Sequence, residues 1–339
     1  MTRTVALLGA TGYTGRLTAA ELERKGITHR VGGRSKARLA AVPSSGDRHV
    51  VDLANPDALD SFLDGVDVLI TCVGPFSELG MPVAEAAIRT GTPYVDSTGE
   101  PQFMAQVYEQ FRGAGSALVP ACGFDYLPGD LGVAVAAEEL GVPAEEVDVV
   151  YAMTDAKVTR GTARSAIGAL GSTRTELGRL VIPGEAGDVT AVQLPWGELL
   201  TVPMHQPGAT VRTGVAAPDW ATKLTQALGP VAALTGPLTR AAQPLLSRWV
   251  ERLPEGPTDE ARAGARARTY SVVRAGGREA RVVVRVRDIY GITARFLVAA
   301  SQQITGTGAM APAQALRARK FLDSVAYEDE GGALTWSLL

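Results

Sequence analysis

Three glycines near the start of the chain have the spacing of a phosphate-binding turn. Gly9, Gly12 and Gly15 follow a short apolar run and open a segment of helical pattern. Without a Cβ, such a turn lets a diphosphate reach backbone N–H groups, and the positive end of the following helix attracts it. The spacing is G-x-x-G-x-x-G rather than G-x-G-x-x-G. Its place between a strand and a helix nevertheless favours a dinucleotide site over an ordinary tight turn.

A basic residue stands about twenty residues further on, at the position that reads the ribose of a bound dinucleotide. Arg34 has Lys36 and Arg38 close by, and no acidic residue competes in this stretch. A guanidinium suits a 2′-phosphate, so the pattern predicts NADP(H) rather than NAD(H), although a solvated arginine is the alternative. The residues predicted to bind the cofactor in this region are Gly9, Thr11, Gly12, Tyr13, Thr14, Gly15, Arg34 and Ser35.

The ends of the later apolar runs carry turn-forming and polar residues. Asp52 ends the third run, where a carboxylate can meet the adenine amino group. Val73, Gly74 and Pro75 end the fourth, where a tight turn can pass beside the nicotinamide ribose. Each is also compatible with a plain strand-to-helix turn. Because parallel strands end at one sheet edge, several such ends in succession indicate a cleft.

Hydride chemistry asks the protein for placement of the nicotinamide, exclusion of water and a proton donor. The candidate catalytic residues are Tyr126, Asp125 and Lys157. Tyr126 follows the sixth apolar run, and its hydroxyl could donate a proton or hold a carbonyl oxygen. Each has a structural alternative: Tyr126 packs with its hydroxyl in water, Asp125 caps the next helix, and Lys157 is solvated.

Alternating strands and helices must position these residues through the first 130 positions. Near-continuous apolar runs suit a parallel sheet covered on both faces, so we expect an α/β, Rossmann-type doubly wound fold. Strands are predicted at Thr4–Leu8, His29–Val31, Arg48–Asp52, Val66–Val73, Pro93–Ser97 and Ala117–Ala121. Helices are predicted at Thr14–Lys25, Ser35–Ala41, Pro56–Leu63, Met81–Thr90 and Gln102–Arg112.

After Pro128 the pattern changes to strands followed by helices, which predicts a second, α+β domain of mixed sheet and helices. Strands are expected at Val147–Met153, Val189–Leu194, Glu198–Pro203, Val211–Val215, Arg268–Arg274 and Ala280–Ile289, and Pro254–Gly264 is expected to be a loop. Helices are expected at Gly129–Leu140, Gly161–Leu180, within Asp219–Arg252, at Thr293–Ile304 and at Pro312–Val325. The expected domains are residues 1–130 for the dinucleotide and 131–304 for substrate and oligomerisation, with helices of about 305–339 packing back on the first.

Composition excludes several classes of protein. With 339 residues, 46% hydrophobic and 20% charged, and a net charge of −3, the chain has no nucleic-acid footprint. Only two cysteines occur, which fits a reducing cytoplasm. The N-terminal apolar run is too short for a signal peptide, and no stretch has the length of a transmembrane segment. The three histidines have no metal-ligand company, so no metal is expected, and no G-x-S-x-G elbow supports a hydrolase.

Several motifs together carry a resemblance to one family. They are GATGYTG at residues 9–15, VGPF at 73–76, YVDSTGE at 94–100, and CGFD at 122–125 with Pro128 and Asp130. Later signatures are GTA at 161–163, GP at 256–257 and DIYGITA at 288–294. The chain resembles the saccharopine dehydrogenase-like oxidoreductases and, more narrowly, the trans-acting enoyl reductase branch. It departs from that branch at Ile289, where a small residue is usual, and at Tyr126, where Ser is common.

The resemblance implies an N-terminal NADP-binding domain, a C-terminal mixed domain bearing the substrate cleft, and reduction of a C=C bond in polyketide or lipid intermediates of secondary metabolism. The reading from residues is an NADPH-dependent reductase of an activated C=C or C=N bond in a small molecule, which a carrier could present. The sequence leaves the number of subunits open, with a homodimer among the candidates. Two alternatives stay open: a saccharopine-type amino acid oxidoreductase, and a non-catalytic NADP(H)-sensing protein on the same fold.

Overall fold

The computed structural model describes residues 2–155, 178–218, 255–327 and 332–339. The chain divides into two compact units, each built from two segments. The first unit comprises Met1–Leu127 and Ile289–Val325, and the second comprises Pro128–Asp288 and Ala326–Leu339. The chain therefore leaves the first unit near the predicted boundary. It re-enters that unit at Ile289, within the segment that the sequence assigned to the second domain.

Seven parallel strands form the sheet of the first unit, in the order β13-β6-β5-β4-β1-β2-β3. The central strands β1 and β4 are buried along their whole length, as a parallel sheet with two covered faces requires. Six strands were predicted within a few residues, and the two-residue β13 was not. The bounds are β1 Val5–Leu8, β2 His29–Gly33, β3 Asp47–Val50, β4 Val68–Thr71, β5 Tyr94–Asp96, β6 Ala117–Val119 and β13 Gly308–Ala309.

Five helices connect the strands in the first segment of this unit. They are α1 Tyr13–Arg24, α2 Lys36–Ala40, α3 Pro56–Leu63, α4 Phe76–Thr90 and α5 Pro101–Gln110. Helix α4 begins five residues before its predicted start. The predicted start was Met81, and the following Pro82 lies inside the helix. Helix α4 starts earlier because Glu100 accepts hydrogen bonds from the N–H groups of Phe76 and Ser77, both at 2.9 Å.

Three helices complete the first unit from the far end of the sequence. They are α9 Ile289–Gln303, α10 Pro312–Ala315 and α11 Ala318–Tyr327. The single helix predicted at Pro312–Val325 is broken at Leu316, whose backbone is extended. Helix α9 packs along α1. At its carboxyl end the Arg3 guanidinium donates to the carbonyl oxygens of Ser301 and Ile304, each at 3.0 Å, so it binds the last carbonyls before β1 begins.

Another mixed sheet of seven strands forms the second unit, in the order β14-β12-β11-β7-β10-β9-β8. Strands β7 and β10 are parallel, and the other neighbours are antiparallel. Its bounds are β7 Glu146–Thr154, β8 Arg179–Gly184, β9 Gly187–Gln193, β10 Thr210–Ala216, β11 Arg266–Ala275, β12 Arg278–Arg287 and β14 Leu334–Leu338. The described helices are α6 Leu127–Leu140, which begins at the boundary between the units, α7 Glu198–His205 and α8 Asp259–Gly264.

Hairpin β8–β9 packs back on the same sheet. Leu180 and Ile182 lie in one apolar cluster with Tyr270, Val272 and Val283 of the central strands. At the hairpin turn, the Glu185 carboxylate pairs with the guanidinium groups of Arg268 and Arg285. This face of the sheet is therefore partly covered by its own edge.

Two predictions in the second unit were wrong where the structure describes the chain. Glu198–Pro203 is helix α7 rather than a strand, and its buried residues Glu198, Thr201 and Val202 have helical spacing. The predicted loop contains α8, which Thr258 caps through a hydrogen bond from the N–H of Ala261 at 3.3 Å.

The predicted helix Gly161–Leu180 falls mostly outside the described residues, and its last two positions lie in β8. The helices expected within Asp219–Arg252 lie wholly outside the described residues, as do the motif residues 161–163. Strand β14 was not predicted.

A buried carboxylate on β7, the middle strand of the second sheet, pairs with arginines of the two flanking strands. The side chain of Asp148 is fully buried and pairs with Arg212 at 2.6 Å and Arg274 at 2.6 Å. Both arginine side chains keep contact with solvent, at 40% and 29% exposure. Hydrogen bonding to Asp148 raises the pKa of Arg212. Loss of the carboxylate would leave two adjacent cations without their shared anion.

Another buried carboxylate joins the ends of β5 and β6. The Asp96 side chain is fully buried, and its Oδ1 accepts hydrogen bonds from the N–H groups of Thr98 and Ala121, both at 2.8 Å. Its Oδ2 accepts from the Tyr94 hydroxyl at 2.5 Å. Ala121 has a left-handed backbone with φ of 62°, which this bond helps to hold. Burial raises the pKa of Asp96 to about 6.

We predict that Asp148→Asn lowers the free energy of unfolding of the second unit by about 3 kcal/mol, because two guanidinium groups lose a buried anion. Urea unfolding followed by tryptophan fluorescence measures this, since all four tryptophans belong to the second unit by sequence. Glu279→Gln is the control: this acid also pairs with Arg274 but is more exposed, and it should cost at most about 1 kcal/mol. Equal losses for the two variants would contradict the role given to Asp148.

The raised pKa of Asp96 predicts a stability that falls with pH. The unfolded carboxyl ionises near its ordinary pKa of 3.8, whereas the folded one stays protonated to about 6. Stability from this group is thus complete below about pH 4 and declines through about pH 6, by about 3 kcal/mol. Asp96→Asn retains an acceptor but does not ionise, so the stability of the variant relative to wild type should rise by this amount between pH 4 and 7.

Chemical unfolding monitored by circular dichroism at several pH values tests the Asp96 prediction. Tyr94→Phe is the companion variant, since its hydroxyl hydrogen bond lowers the pKa of Asp96 and its removal should move the decline to higher pH. A difference between wild type and Asp96→Asn that does not change with pH would exclude this titration.

Candidate functional site

The glycine turn after β1 is built so that no side chain can replace its hydrogens. Gly9 has φ of 81°, and a Cβ there would lie 2.9 Å from the carbonyl carbon of Cys72 on β4's exit. A Cβ on Gly15 would overlap the carbonyl oxygen of Gly9. The first glycine is thus required by its backbone and its neighbour strand, and the third by the close contact of helix α1 with the turn.

Gly12 is not required by the packing of the turn; instead, its missing side chain leaves the space above the turn open. A Cβ at Gly12 would meet only the Gly9 oxygen, at 3.4 Å, so the position borders open space. Gly12 is the N-cap of α1, no side chain caps the helix, and its first turn carries no acidic residue. The donors and the positive end of this helix can therefore receive an anion, which is what a diphosphate needs.

Two guanidinium groups converge on the turn. The carbonyl oxygen of Thr11 accepts from Arg16 at 2.9 Å and from Arg38 at 3.1 Å. The carbonyl of Thr14 accepts from the hydroxyl of Thr18 at 2.9 Å inside α1. The turn thus lies in a positively charged surrounding. Its shape and charge fit a dinucleotide phosphate.

Arg34 follows the last residue of β2 and is exposed. In the described part of the chain its guanidinium has no hydrogen bond or ion pair, so it is available to a ligand. Ser35 has a structural role: its hydroxyl accepts from the N–H of Arg38 at 3.4 Å and caps α2. Asp52 is exposed after β3 and accepts from the N–H of Ala54 at 3.0 Å, so it stabilises the turn and leaves one oxygen toward solvent.

The turn after β4 contains the predicted residues Val73, Gly74 and Pro75, and its Gly74–Pro75 peptide bond is cis. A Cβ on Gly74 would meet only the ring of Phe76, at 3.8 Å. Glu100, with its two hydrogen bonds to the start of α4, fixes this turn from the end of β5. The sequence placed Glu100 at a strand end but gave it no role.

Two of the three predicted catalytic residues follow β6. Tyr126 is nearly buried, and its hydroxyl donates to the carbonyl oxygen of Gly99 at 2.9 Å. Asp125 is exposed, and its carboxylate lies against Gly99, where a Cβ would be 3.1 Å from Oδ2. Desolvation by the protein packed around the carboxylate raises the pKa of Asp125 to about 6, although part of its side chain contacts solvent, and hydrogen bonding does not contribute. Lys157 lies outside the described residues.

These observations bear on the alternatives that the sequence left open. Asp125 does not act as a helix cap among the residues that the structure describes, since no N–H donates to its carboxylate. The Tyr126 hydroxyl has a protein partner rather than water alone. Burial raises the pKa of Cys72 to about 12, so this thiol is not a nucleophile at neutral pH.

The amino end of α9 is the part of the site that the sequence reasoning missed. The ring of Tyr290 lies against the ring of Tyr13, with centroids 5.3 Å apart and planes at 90°. One turn later, the Thr293 hydroxyl accepts from the N–H of Phe124 at 3.1 Å. Helix α9 thus borders both the glycine turn and the loop after β6. The motif DIYGITA was the only local signal, and it did not reveal this placement.

The second unit has a separate polar cluster. The Nε2 atom of His205 is 2.9 Å from Oδ1 of the buried Asp130, and the Tyr151 hydroxyl bonds the buried carboxylate of Glu198. These contacts join α7 to α6 and β7. His205 is therefore the last residue of a helix and has a protein partner.

Among the described residues, no group of three or more His, Cys, Asp or Glu side chains is placed to hold a metal ion. No described helix has the length and hydrophobicity needed to cross a membrane.

Comparison with known proteins agrees with the geometry of the first unit. Residues 5–119 match the model of the saccharopine dehydrogenase NADP binding domain. The solved structure of apo saccharopine dehydrogenase (L-Glu forming) from Saccharomyces cerevisiae has a TM-score of 0.62 to this chain. It covers 99% of this chain and 100% of its own at 15% identity, so it shows the fold alone.

Two curated relatives with sequence similarity are named trans-acting enoyl reductase. Trans-acting enoyl reductases from Mycobacterium tuberculosis (strain ATCC 25618 / H37Rv) and Mycobacterium leprae (strain TN) are 36% and 37% identical over 142 residues. The matched segment is 38% of this chain, and the chain spans only about a third (34%) of the length of these relatives. The similarity to this branch is thus confirmed for that segment.

The match of residues 5–119 to an NADP binding domain agrees with the predicted cofactor, NADP(H). The Rossmann-type sheet with a second mixed sheet is the predicted fold. The resemblance to the saccharopine dehydrogenase-like oxidoreductases is confirmed, and residues 5–119 are similar to the NADP binding domain of saccharopine dehydrogenase.

Proposed function

We propose that this protein is an NADPH-dependent reductase of an activated C=C bond, or of a C=N bond, in a small polyketide- or lipid-like intermediate. The observation that carries the proposal is the glycine turn at the uncapped amino end of α1, within the segment that matches an NADP binding domain. The name of the relatives, trans-acting enoyl reductase, supports the C=C bond as the substrate group.

Residues of the first unit would hold the cofactor. The turn from Gly9 to Gly15 receives the diphosphate, and the free guanidinium of Arg34 receives the 2′-phosphate. Asp52 lies at the next strand end for the adenine, and the turn from Val73 to Pro75 lies beside the nicotinamide ribose. When bound, NADPH supplies a hydride to the substrate.

We further propose Asp125 as the proton donor. It combines three features: its side chain is exposed, its pKa is raised to about 6, and hydrogen bonding does not shift that pKa. Its acid form can therefore give a proton to a reduced substrate at mildly acidic pH. Tyr126, whose hydroxyl is engaged by Gly99, is proposed to hold the Asp125 loop against the end of β5. Lys157 remains a candidate for a catalytic role.

We also propose a cytoplasmic setting and a carrier-bound substrate. Two cysteines, both free of disulfides, suit a reducing cytoplasm. The word trans-acting in the names of the relatives suits a substrate presented by a separate carrier. A second unit of about the same size as the first supports an enzyme over a pure sensor. We propose this unit as the substrate domain and as the contact surface of a homodimer.

Oxidation of NADPH by the purified protein tests the function. We expect turnover with enoyl thioesters on a pantetheine arm and slower or no turnover with saccharopine and with simple imines. Preferred turnover of an amino acid substrate would replace the enoyl assignment with the saccharopine-type activity. Tight NADPH binding without turnover of any of these compounds would instead favour a sensor.

Arg34→Ala should weaken NADPH binding about 10- to 100-fold and change NADH binding by less than about threefold, because only NADPH carries the 2′-phosphate. Calorimetric titration with both nucleotides measures the effect. Arg317→Ala, which removes another exposed arginine of the first unit, should leave both affinities unchanged. Equal losses of NADPH and NADH would refute the role of Arg34.

The proposed proton donor predicts a pH profile. Since Asp125 must be protonated to act, kcat should be highest below about pH 6 and fall about tenfold for each further pH unit above it. Asp125→Asn should lower kcat at pH 6 by about 100-fold and remove this dependence. Tyr126→Phe serves as comparison, with lowered turnover and an unchanged pH midpoint. If Asp125→Asn kept the wild-type pH dependence of kcat, Asp125 would not be the proton donor.

A further inference from the structure

Helix α9 and helix α1 lie side by side with their amino ends at the same edge of the sheet. The carboxyl end of α9 is bound by Arg3, just before β1 begins. Its amino end reaches Tyr13, the first residue of α1, and the loop after β6. Both helices therefore run antiparallel to the strands and begin where parallel strands end. Ligands of doubly wound folds bind at this edge.

The contact between these amino ends is an aromatic pair. Tyr13 stands between Gly12 and Gly15, the glycines that border the proposed diphosphate site. The ring of Tyr290 lies perpendicular to that of Tyr13 with a centroid distance of 5.3 Å, a favourable edge-to-face geometry. Both side chains are only partly buried. Because Tyr290 packs against the ring of Tyr13, it limits the motion of the first turn of α1, which carries that ring.

We propose that Tyr290 is a positioning residue of the dinucleotide site. Through the ring of Tyr13, it fixes the first turn of α1, whose N–H groups receive the diphosphate. A residue near the end of the sequence thus sets the affinity for the diphosphate part of a dinucleotide. The inference rests on the proposed binding of NADP(H). It goes beyond the glycine motif, which accounts for the turn by local sequence alone.

The proposed role of Tyr290 concerns only the diphosphate part of the site, which distinguishes it from a general effect on stability. Arg34, at the end of β2, serves the 2′-phosphate, and the aromatic pair lies at the glycine turn instead. Loss of Tyr290 should therefore weaken a ligand that contains a diphosphate. It should leave unchanged a ligand that carries only the 2′-phosphate.

A double-mutant cycle tests the inference by calorimetric titration of the full chain with NADPH. Tyr290→Ala and Tyr13→Ala should each weaken NADPH about three- to tenfold, and the double variant should lose no more than the larger single loss. Tyr290→Phe retains the ring and should bind within about twofold of wild type. Binding of 2′-AMP, followed by competition, should be the same in wild type and Tyr290→Ala. Tyr327→Ala, at a 91% exposed tyrosine, is the matched control and should change neither ligand.

Three outcomes would overturn the inference: unchanged NADPH affinity in Tyr290→Ala, losses that multiply in the double variant, or equal weakening of NADPH and 2′-AMP. A loss in Tyr290→Phe as large as in Tyr290→Ala would also overturn it, because the hydroxyl rather than the ring would then act. Failure of the wild-type protein to bind NADPH would instead remove the proposed function itself.

Discussion

Backbone N–H groups can bind a diphosphate closely only where no side chain stands between them and the ligand. This constraint shapes the first unit. Helix α1 must come so close to the turn after β1 that Gly15 touches the Gly9 carbonyl, and Gly9 must come equally close to the exit of β4. Gly12, which borders open space, is the N-cap of α1 and leaves its amino end without a capping side chain. The surrounding arginines then add charge to a site whose shape the backbone has already set.

The neighbouring strand ends are held by carboxylates rather than by glycines. Glu100 binds the start of α4, and Asp96 binds the backbone where β6 ends. Each acid is buried and has several donors, so it fixes the loops that border the nucleotide turn. The loop after β6 carries Asp125 and Tyr126. The residues proposed to act in the reaction thus lie on a loop whose backbone is fixed by other, buried polar groups.

Local signals sufficed for most of the first unit. Apolar runs predicted six of its strands, and the glycine spacing with Arg34 predicted the cofactor turn, because both depend on residues close in sequence. Long-range contacts decided what was missed. Glu198 stays buried in a helix because it meets Tyr151, and a short apolar run cannot reveal this. Tyr290 could not be assigned to the site because its partner Tyr13 is far away in the sequence. The family motif around Tyr290 marked the segment without giving its location.

The return of the chain at Ile289 makes the nucleotide-binding unit discontinuous. Residues 128–288 are, topologically, an insertion between β6 and α9, and Arg3 meets its helix partner Ser301 across 298 positions. During synthesis, the amino-terminal strands therefore emerge long before the helix that covers α1 is available. Until then, the apolar face that α9 will bury stays open to water or to a chaperone. A fragment that ends after β6 would contain the whole glycine motif and still lack the cover that completes its fold.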